Sequence, residues 1–464
     1  MTTIETFGVD EILIRRFDRP GPRYTSYPTA DRFHTGFDAR AHVTWLDRRD
    51  RIEPDKPLSL YVHLPFCASV CYYCACNKVI TRDHGRSGRY LDYLEKEILL
   101  QASYLPRSRR VTQLHLGGGT PTFLNGEELS RLMRMLRDAF DIATGSECAI
   151  EIDPRSADPT MVALLADLGF NRMSIGVQDF DPQVQRAVHR IQPAEITMQT
   201  LDAARQCGFR SINMDLIYGL PCQTTEGFAR TLEQVLEAAP DRVALYSYAH
   251  LPERFKPQRR IRSEDMPSAE TRLEIMLLAI NMMLDAGYHH IGMDHFAHCD
   301  DELAMAQRQG TLHRNFQGYT TQAECDLLAL GISSISMIGA SFSQNVRTLD
   351  EYYACLDCGA LPIARGFELS SDDLVRRDVI MGLMCQGEVL MDAIGHAHGV
   401  AFQEYFAAEL AELHEAFVSE AMVDMDRERI HITPKGRFFL RGIAMVFDRY
   451  FQQQVHPGRF SRLI

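Results

Sequence analysis

Three cysteines near residue 70 have the spacing of iron ligands. Cys67, Cys71 and Cys74 form a C-x₃-C-x₂-C loop directly after a short apolar run. Three thiolates can hold three irons of a 4Fe-4S cluster and leave the fourth iron open for another ligand. A structural zinc site with Cys76 as its fourth ligand is the alternative, but the short C-x-C spacing would strain a tetrahedral site. The spacing therefore predicts an iron–sulfur cluster with one open iron.

A glycine run and four polar residues are further candidates for ligand binding. Gly117, Gly118 and Gly119 precede Thr120 and follow the second apolar run, and residues without Cβ let a ligand approach the backbone closely. Alone, such a run indicates only a turn. Four polar residues follow later apolar runs, and each taken singly is better interpreted as a surface residue: Glu151, Gln178, Arg190 and Asp215.

The elements that carry these residues are predicted from periodicity. From Pro57 to about Gly287, short β-branched and apolar runs alternate with amphipathic runs of helical period, which is typical of βα units around a parallel sheet. Six strands are predicted, and each is followed by a candidate helix. They are Leu58–His63, Val111–Leu116, Cys148–Ile152, Arg172–Val177, Ser211–Ile217 and Val243–Tyr248.

Helix boundary signals agree with this pattern. Gly169, Gly208 and Gly287 stand where predicted helices need a left-handed residue at their ends, and Asp158 before Pro159 is a helix start signal. Six units are too few for an eight-stranded barrel. We therefore expect an α/β fold with an open, partial (β/α)₆ barrel, whose open side can admit a large flat substrate.

The chain divides into three predicted regions. Residues 1–50 form an N-terminal segment that covers the active site, because its Gly-Pro and Tyr-Pro pairs restrict the backbone and its tyrosines offer packing surface. Residues 51–369 form the partial barrel and a His-rich extension. Residues 370–464 form a small, mainly helical domain, resembling a winged helix, with a short strand at Ile430–Ile432. Its many acidic residues favour a packing role over DNA binding.

Charge and hydropathy exclude several functions. The formal net charge is −13, which disfavours a protein that coats nucleic acid or an anionic membrane. We find no apolar stretch of about 20 residues that would span a bilayer, and the acidic N-terminus lacks a secretory pattern, so we expect a cytoplasmic protein. Its twelve cysteines are then expected to be reduced, and the Cys355-x-x-Cys358 pair to be structural.

The cysteine loop resembles that of radical S-adenosylmethionine (SAM) enzymes, in which the open iron binds SAM. More closely, the chain resembles the oxygen-independent coproporphyrinogen III oxidases over almost its whole length. The motifs that carry this resemblance are Gly21–Pro28, Tyr61–Cys67, Cys74–Lys78, Gly176–Phe180, Asp215–Pro221, Tyr248–His250, Asn315–Thr321 and Phe460–Arg462.

The resemblance implies a reaction and its cofactors. Coproporphyrinogen III would lose two propionate carboxyl groups as CO₂ and become protoporphyrinogen IX, in haem biosynthesis. A 4Fe-4S cluster and two SAM molecules would take part. An electron donor protein of the flavodoxin kind and an unidentified electron acceptor would be partners. We further expect no nucleic acid, no membrane insertion and a monomeric protein.

The resemblance also assigns residues. Cys67, Cys71 and Cys74 would hold the cluster, and Cys76 would be catalytic, needed for turnover but not for cluster assembly. The family usually has Phe at the position of Tyr73, a conservative difference. The expected contacts to SAM are Tyr61, Tyr73, Gly118, Gly119, Thr120, Glu151, Gln178, Arg190, Asp215, Ala249 and Ile335.

Substrate binding needs a local cationic site, because four propionates would be repelled by the net charge. Arg23 and Gln317 are the candidates. A basic run after the sixth predicted strand is a weaker candidate and is better interpreted as a solvated loop: Arg254, Lys256, Arg259, Arg260 and Arg262.

Two other functions are compatible with part of the sequence. Haem chaperones of the same superfamily typically lack the equivalents of Cys76, the Asn77-Lys78 pair and the Arg23-Tyr24 segment, all of which are present here. An oxygen-sensing iron–sulfur module would use the C-terminal domain as its output. The acidity of that domain and the intact motifs disfavour this reading.

Overall fold

The computed structural model describes residues 11–17 and 19–453. Its strands form one large sheet and three small ones. In chain order the strands are β1 (Leu58–Leu64), β2 (Phe66–Cys67), β3 (Val79–Ile80), β4 (Arg110–Gly118), β5 (Asp141–Ile152), β6 (Arg172–Gln178), β7 (Ser211–Tyr218), β8 (Arg242–Ser247), β9 (Tyr288–Gly292), β10 (His295–His298), β11 (His313–Asn315), β12 (Gly318–Thr320), β13 (Asp326–Leu330), β14 (Ile335–Ile338), β15 (Ser341–Asn345), β16 (Ile363–Glu368), β17 (Glu388–Leu390), β18 (Val423–Met425) and β19 (Arg429–Ile432).

Helices follow the strands of the barrel and build most of the C-terminal region. They are α1 (Glu11–Phe17), α2 (Ala39–Ile52), α3 (His84–Ser103), α4 (Gly126–Ala139), α5 (Pro159–Asp167), α6 (Pro182–Ala187), α7 (Ala194–Gln206), α8 (Thr225–Ala238), α9 (Ala269–Asp285), α10 (Glu302–Arg308), α11 (Leu349–Asp357), α12 (Ser371–Gln386), α13 (Met391–His398), α14 (Phe402–Tyr405), α15 (Ala407–Leu413), α16 (Leu440–Ala444) and α17 (Arg449–Gln453). None of the helices in the described part of the chain is long and apolar enough to cross a membrane.

The six predicted strands are confirmed as β1, β4, β5, β6, β7 and β8. They lie side by side in this order, and every neighbouring pair is parallel. The large sheet is wider than the sequence indicated. Strand β13 adds a further parallel strand beside β1, and antiparallel strands continue the sheet beyond β13 and beyond β8. Among the described residues its two outer strands, β16 and β9, do not pair, so the predicted open barrel is confirmed.

The predicted helix boundaries are also confirmed. Gly169, Gly208 and Gly287 have φ values of 95°, 79° and 86°, a region that costs other residues steric strain. The Asp158 carboxylate accepts a hydrogen bond of 2.8 Å from the Met161 amide, and Pro159 begins α5. Local sequence therefore sets where these helices begin and end.

Two hydrophobic cores organise the chain. The larger one fills the space between the parallel sheet and the helices α3, α4, α5, α7, α8 and α9. The second joins the N-terminal Leu13–Tyr27 stretch to α10 and to the helices and small sheet of the C-terminal region. The C-terminal region is mainly helical as predicted, and its predicted strand is β19 at the centre of the order β17-β19-β18. The exact domain boundaries stay predictions, and Phe460–Arg462 lies outside the described residues.

The N-terminal segment is packed against the C-terminal region. The Arg441 guanidinium donates hydrogen bonds to the Gly21 and Pro22 carbonyls, and the Tyr24 hydroxyl donates to Asp448 at 2.9 Å. Tyr24 and Arg441 are both buried. These contacts hold the segment between the barrel and the C-terminal region; its role as an active-site cover stays a prediction.

A buried ion pair ties α2 to the sheet and gives a stability prediction. Arg49 Nε donates to Asp326 Oδ2 at 2.9 Å, and its Nη1 donates to the Ser108 carbonyl at 3.1 Å; Arg49 is 2% exposed. Arg49→Ala should lower the free energy of unfolding by about 1.5–3 kcal/mol, because Asp326 loses a charge-assisted hydrogen bond but keeps Lys56 Nζ at 3.0 Å. The measurement is the urea midpoint by circular dichroism.

Arg51→Ala is the matched control on the same helix. Arg51 is exposed and, within the described residues, donates to the Asp47 carbonyl of its own helix, so its loss should cost within about 0.5 kcal/mol. Equal midpoints for the two variants would show that the Arg49–Asp326 pair does not hold α2 in place.

Candidate active site

The cysteine loop begins where β1 ends and is closed at its base. Strands β2 and β3 pair in parallel, with Phe66 opposite Val79 and Cys67 opposite Ile80. The Thr81 amide also donates to the Cys67 carbonyl at 3.0 Å. The loop is therefore fixed at both ends, and its position after the first barrel strand places the thiols at the carboxyl edge of the sheet.

The thiols face a cavity of about 460 Å³ at this edge. Residues from several strand ends converge on it, as expected for parallel strands whose carboxyl ends share one edge. Twelve of the predicted site residues line it, namely Cys67, Cys71, Tyr73, Cys74, Cys76, Gly118, Gly119, Thr120, Glu151, Gln178, Arg190 and Asp215.

Cationic and polar groups surround the thiol sulfurs. The guanidinium groups of Arg155 and Arg190 each lie 3.7 Å from Cys71 Sγ, and the Thr120 hydroxyl lies 3.5 Å from Cys67 Sγ. Burial raises the pKa of Cys67 to about 11. A hydrogen bond from Cys76 lowers the pKa of Cys74 to about 6. The two guanidinium groups compensate the negative charge that bound thiolates would bring into the cavity.

The thiols fit a cluster better than a single metal ion. A lone ion needs ligand atoms close together, and within the described residues the group whose ligand atoms lie within 4.8 Å of one another is His298, Cys299 and Asp300, far along the chain. The three loop thiols are not gathered in that way. Soft sulfur ligands at wider separation, compensated by two guanidinium groups, fit a 4Fe-4S cluster.

The glycine run packs against the cysteine loop. Gly118 has φ +114°, and a Cβ there would lie 2.6 Å from the His63 ring; a Cβ on Gly119 would lie 2.7 Å from the backbone of Pro65 and Phe66. The Gly119 amide donates to the Leu64 carbonyl at 2.8 Å. The sequence explained these glycines by close approach of a ligand. The structure adds a second reason, which is close approach of the neighbouring loop.

Two carboxylates line the cavity in different electrostatic settings. Burial opposes ionisation of Glu151, but His115 Nε2 at 3.2 Å and the Gly118 amide at 3.1 Å bring its pKa below the ordinary value. Burial raises the pKa of Asp215 to about 6, although Ser174 donates to it at 2.8 Å. Near neutral pH both groups are mainly ionised and suit a cationic ligand.

Three predicted SAM contacts do not line the cavity. The Tyr61 ring stacks on the His115 ring, with the two ring centroids 5.8 Å apart. The side-chain amide of Gln258 donates to the Ala249 carbonyl at 3.2 Å and to the Tyr73 carbonyl at 2.9 Å. Ile335 begins β14. Their roles stay predictions.

The two substrate candidates also lie outside the main cavity. Arg23 pairs with Asp294 at 3.1 Å and lines a separate cavity of about 80 Å³ between the barrel and the C-terminal region. Gln317 has a buried Nε2 that meets no acceptor among the described residues. A buried N–H donor without an acceptor lowers the stability of the fold unless a ligand accepts its hydrogen bond.

Sequence reasoning missed Asp153 and Arg155. Asp153 Oδ2 accepts hydrogen bonds from Arg155 at 2.6 Å and from Arg190 at 3.0 Å, and so orients both guanidinium groups toward Cys71. Both missed residues directly follow β5. Position alone could have identified them, because the glycine run holds the same place after β4.

Comparisons with known proteins agree with this site. Residues 61–235 match the Radical SAM superfamily, and residues 369–439 match the HemN C-terminal domain. The oxygen-independent coproporphyrinogen III oxidase of Pseudomonas aeruginosa is 50% identical over 463 residues, which cover 99% of this chain and 100% of that protein. The chain belongs to the oxygen-independent coproporphyrinogen III oxidases. The Escherichia coli member is 46% identical over 462 residues and 100% of both chains.

Membership of the oxygen-independent coproporphyrinogen III oxidase family confirms the resemblance seen in the sequence. The solved structure of coproporphyrinogen III oxidase from E. coli, described as a Radical SAM enzyme, superposes with a TM-score of 0.91 over 95% of this chain and 99% of that chain. The protein is accordingly a radical SAM enzyme, with a 4Fe-4S cluster and SAM as cofactors. The three thiols suit the cluster, and the carboxylates of Glu151 and Asp215 suit the positive charge of SAM.

The contact of Gly118 with His63 gives a prediction. Gly118→Ala should lower the melting temperature and weaken SAM binding by about tenfold or more, because the new Cβ displaces a ring beside the cavity and φ is left-handed. Thermal melting and equilibrium dialysis with SAM are the measurements.

Gly145→Ala is the matched control. Gly145 also has a left-handed φ of +83°, but its Cβ would meet nothing within 4 Å. It should lose about 1–2 kcal/mol of stability from backbone strain and keep its affinity for SAM. If Gly118→Ala binds SAM as tightly as Gly145→Ala, the packing of the glycine run does not matter for the site.

Proposed function

We propose that this protein catalyses the oxygen-independent conversion of coproporphyrinogen III to protoporphyrinogen IX in haem biosynthesis. Two propionate side chains lose CO₂ and become vinyl groups. The observation that carries the proposal is end-to-end similarity, at 50% identity, to an enzyme of this name, combined with convergence of the expected residues on one cavity.

The cofactors supply the radical chemistry, and the protein supplies their environment. When bound, the cluster and SAM supply a 5′-deoxyadenosyl radical that removes a hydrogen atom from a propionate side chain. Cys67, Cys71 and Cys74 would hold the cluster. Arg155 and Arg190 would balance the charge at Cys71, since both guanidinium groups lie 3.7 Å from its sulfur.

Other residues that line the cavity would bind SAM. Glu151 and Asp215 would face its positive charge as carboxylates, because both are held among hydrogen-bond donors at the cavity wall. Gly118, Gly119 and Thr120 would offer backbone carbonyls close to its amino acid part, because their amides already donate to Glu151, Leu64 and Phe66. Tyr73, Gln178 and Arg190 complete the lining.

A second SAM molecule is part of the proposal. Its contacts would come from residues outside the main cavity, including Tyr61, Ala249 and Ile335. Cys76, exposed beside the cluster loop, would act in turnover.

Partners and location complete the proposal. An electron donor protein would reduce the cluster, and a separate acceptor would take the electron left on the substrate after loss of CO₂. We propose a monomeric, cytoplasmic enzyme.

An anaerobic assay tests the proposed function. The reconstituted protein should convert coproporphyrinogen III to protoporphyrinogen IX in the presence of SAM and a reductant, with methionine and 5′-deoxyadenosine as co-products. Chromatography of porphyrins and nucleosides gives the result. Cleavage of SAM without any loss of substrate carboxyl groups would point to a different substrate.

The cysteines should separate into two classes. Cys67→Ser, Cys71→Ser and Cys74→Ser should each lose the 4Fe-4S absorption and SAM cleavage, because one iron loses its ligand. Cys76→Ser should assemble the cluster and fail in turnover. Iron content, absorption spectra and product analysis are the measurements. A Cys76→Ser protein without a cluster would make Cys76 a structural requirement of the site.

Arg23 and Gln317 should affect the substrate and not the cluster. Arg23→Ala and Gln317→Ala should each weaken porphyrinogen binding by about tenfold or more, since charge-assisted and buried hydrogen bonds contribute about 1.5–3 kcal/mol. Substrate and SAM binding are measured separately, and the cluster spectrum is the control. Unchanged substrate affinity in both variants would assign the propionates to other groups.

A further inference from the structure

The basic loop after β8 lies against the cysteine loop. None of its cationic residues is among the described residues that line the main cavity. Instead, the Arg260 guanidinium lies over the Tyr72 ring, 5.2 Å from its centroid. Tyr72 directly follows Cys71 in the chain. The basic loop therefore contacts the residue next to a cluster ligand and does not line the main cavity.

A second segment covers the other side of Tyr72. The His189 ring stacks on Tyr72 with centroids 5.0 Å apart and planes at 10°. His189 Nδ1 donates to the Val70 carbonyl at 2.8 Å, and the Tyr72 amide donates to the Val188 carbonyl at 2.9 Å. This turn is therefore fastened to the cysteine loop. It presents His189 and Arg186 to solvent.

We name the exposed and half-buried residues of this region the Tyr72 surface: Val70, Tyr72, Arg186, His189 and Arg260. It is cationic in an acidic protein. Residues 186–189 and 253–265 together carry six Lys and Arg residues and three acidic ones, a net charge of +3 within a chain of −13. The remainder of the chain therefore carries −16, and this surface of excess positive charge lies beside the residue that follows Cys71.

We propose that the Tyr72 surface docks an acidic one-electron carrier protein that reduces the cluster. A positive surface with an aromatic centre complements an acidic partner and speeds its association. In each docking event the carrier is oxidised by one electron and the cluster is reduced by one, so no atom or proton needs to cross the interface. The proposal rests on the proposed function, because it requires the cluster at Cys67, Cys71 and Cys74.

The test uses the cluster-loaded full chain and a flavodoxin as the acidic carrier. The Arg186→Gln, Arg260→Gln double variant should bind the flavodoxin about tenfold more weakly at low ionic strength, and reduction of its cluster by the reduced flavodoxin should slow to a similar extent. The difference from the parent should shrink as NaCl is raised, because salt screens exposed charges. Calorimetry and bleaching of cluster absorption are the measurements.

The matched control is Arg210→Gln with Arg427→Gln. Both arginines are exposed; Arg210 precedes β7 at the opposite edge of the sheet, and Arg427 lies between β18 and β19. This variant should bind flavodoxin within about twofold of the parent, as expected for surface charges far from the interface. Reduction by dithionite, a small molecule, should be equal in all variants and shows that the cluster is intact.

Two results would overturn the proposal. One is flavodoxin affinity in the double variant equal to that of the control. The other is loss of porphyrinogen affinity with flavodoxin binding preserved, which would assign the surface to the substrate. If the double variant fails to assemble a cluster, Lys256→Gln with Arg259→Gln on the same loop takes its place in the comparison. SAM cleavage is also measured in either variant with dithionite as the reductant. Cleavage at the parent's rate would support the proposed function whether or not the docking proposal holds.

Discussion

The active site depends on the constraint that parallel strands deliver their carboxyl ends to one edge. Strands β1, β4, β5, β6, β7 and β8 run in the same direction, so the loops that follow them must meet. The cysteine loop, the glycine run, the Asp153–Arg155 turn and Asp215 are far apart in the chain, yet they line one cavity for this reason. Widening of the sheet by β13 and by the antiparallel strands leaves this edge unchanged.

Packing between the first two loops makes the site rigid. Hydrogen bonds from Gly119 to Leu64 and from Thr120 to Phe66 bind the glycine run to the start of the cysteine loop, and there is no room for a Cβ on Gly118 or Gly119. The cluster ligands and the ligand-binding backbone therefore form one unit. A shift in either loop would be passed to the other, because close-packed contacts transmit displacement.

Charge is distributed unevenly across this unit. Guanidinium groups lie against Cys71, two carboxylates line the same cavity, and the Arg260 guanidinium lies over the Tyr72 ring outside it. The chain as a whole is acidic. Each region thus complements the charge of its expected ligand. The guanidinium groups complement the thiolates, the carboxylates complement the sulfonium of SAM, and the external cations complement an acidic carrier protein. Net charge alone indicated none of these local differences.

The sequence by itself determined the six βα units, the helix boundaries at Gly169, Gly208 and Gly287, and the cysteine spacing, because periodicity, left-handed glycines and ligand spacing are local properties. Spacing and the resemblance to a known family together indicated twelve residues that do line the cavity. Only the tertiary structure decided the rest. It paired Asp153 with both guanidinium groups, placed Arg23 against Asp294 outside the main cavity, and set Arg260 over Tyr72. These contacts join residues that are distant in the chain, so their distances are fixed by how the strands and loops pack and not by any local pattern.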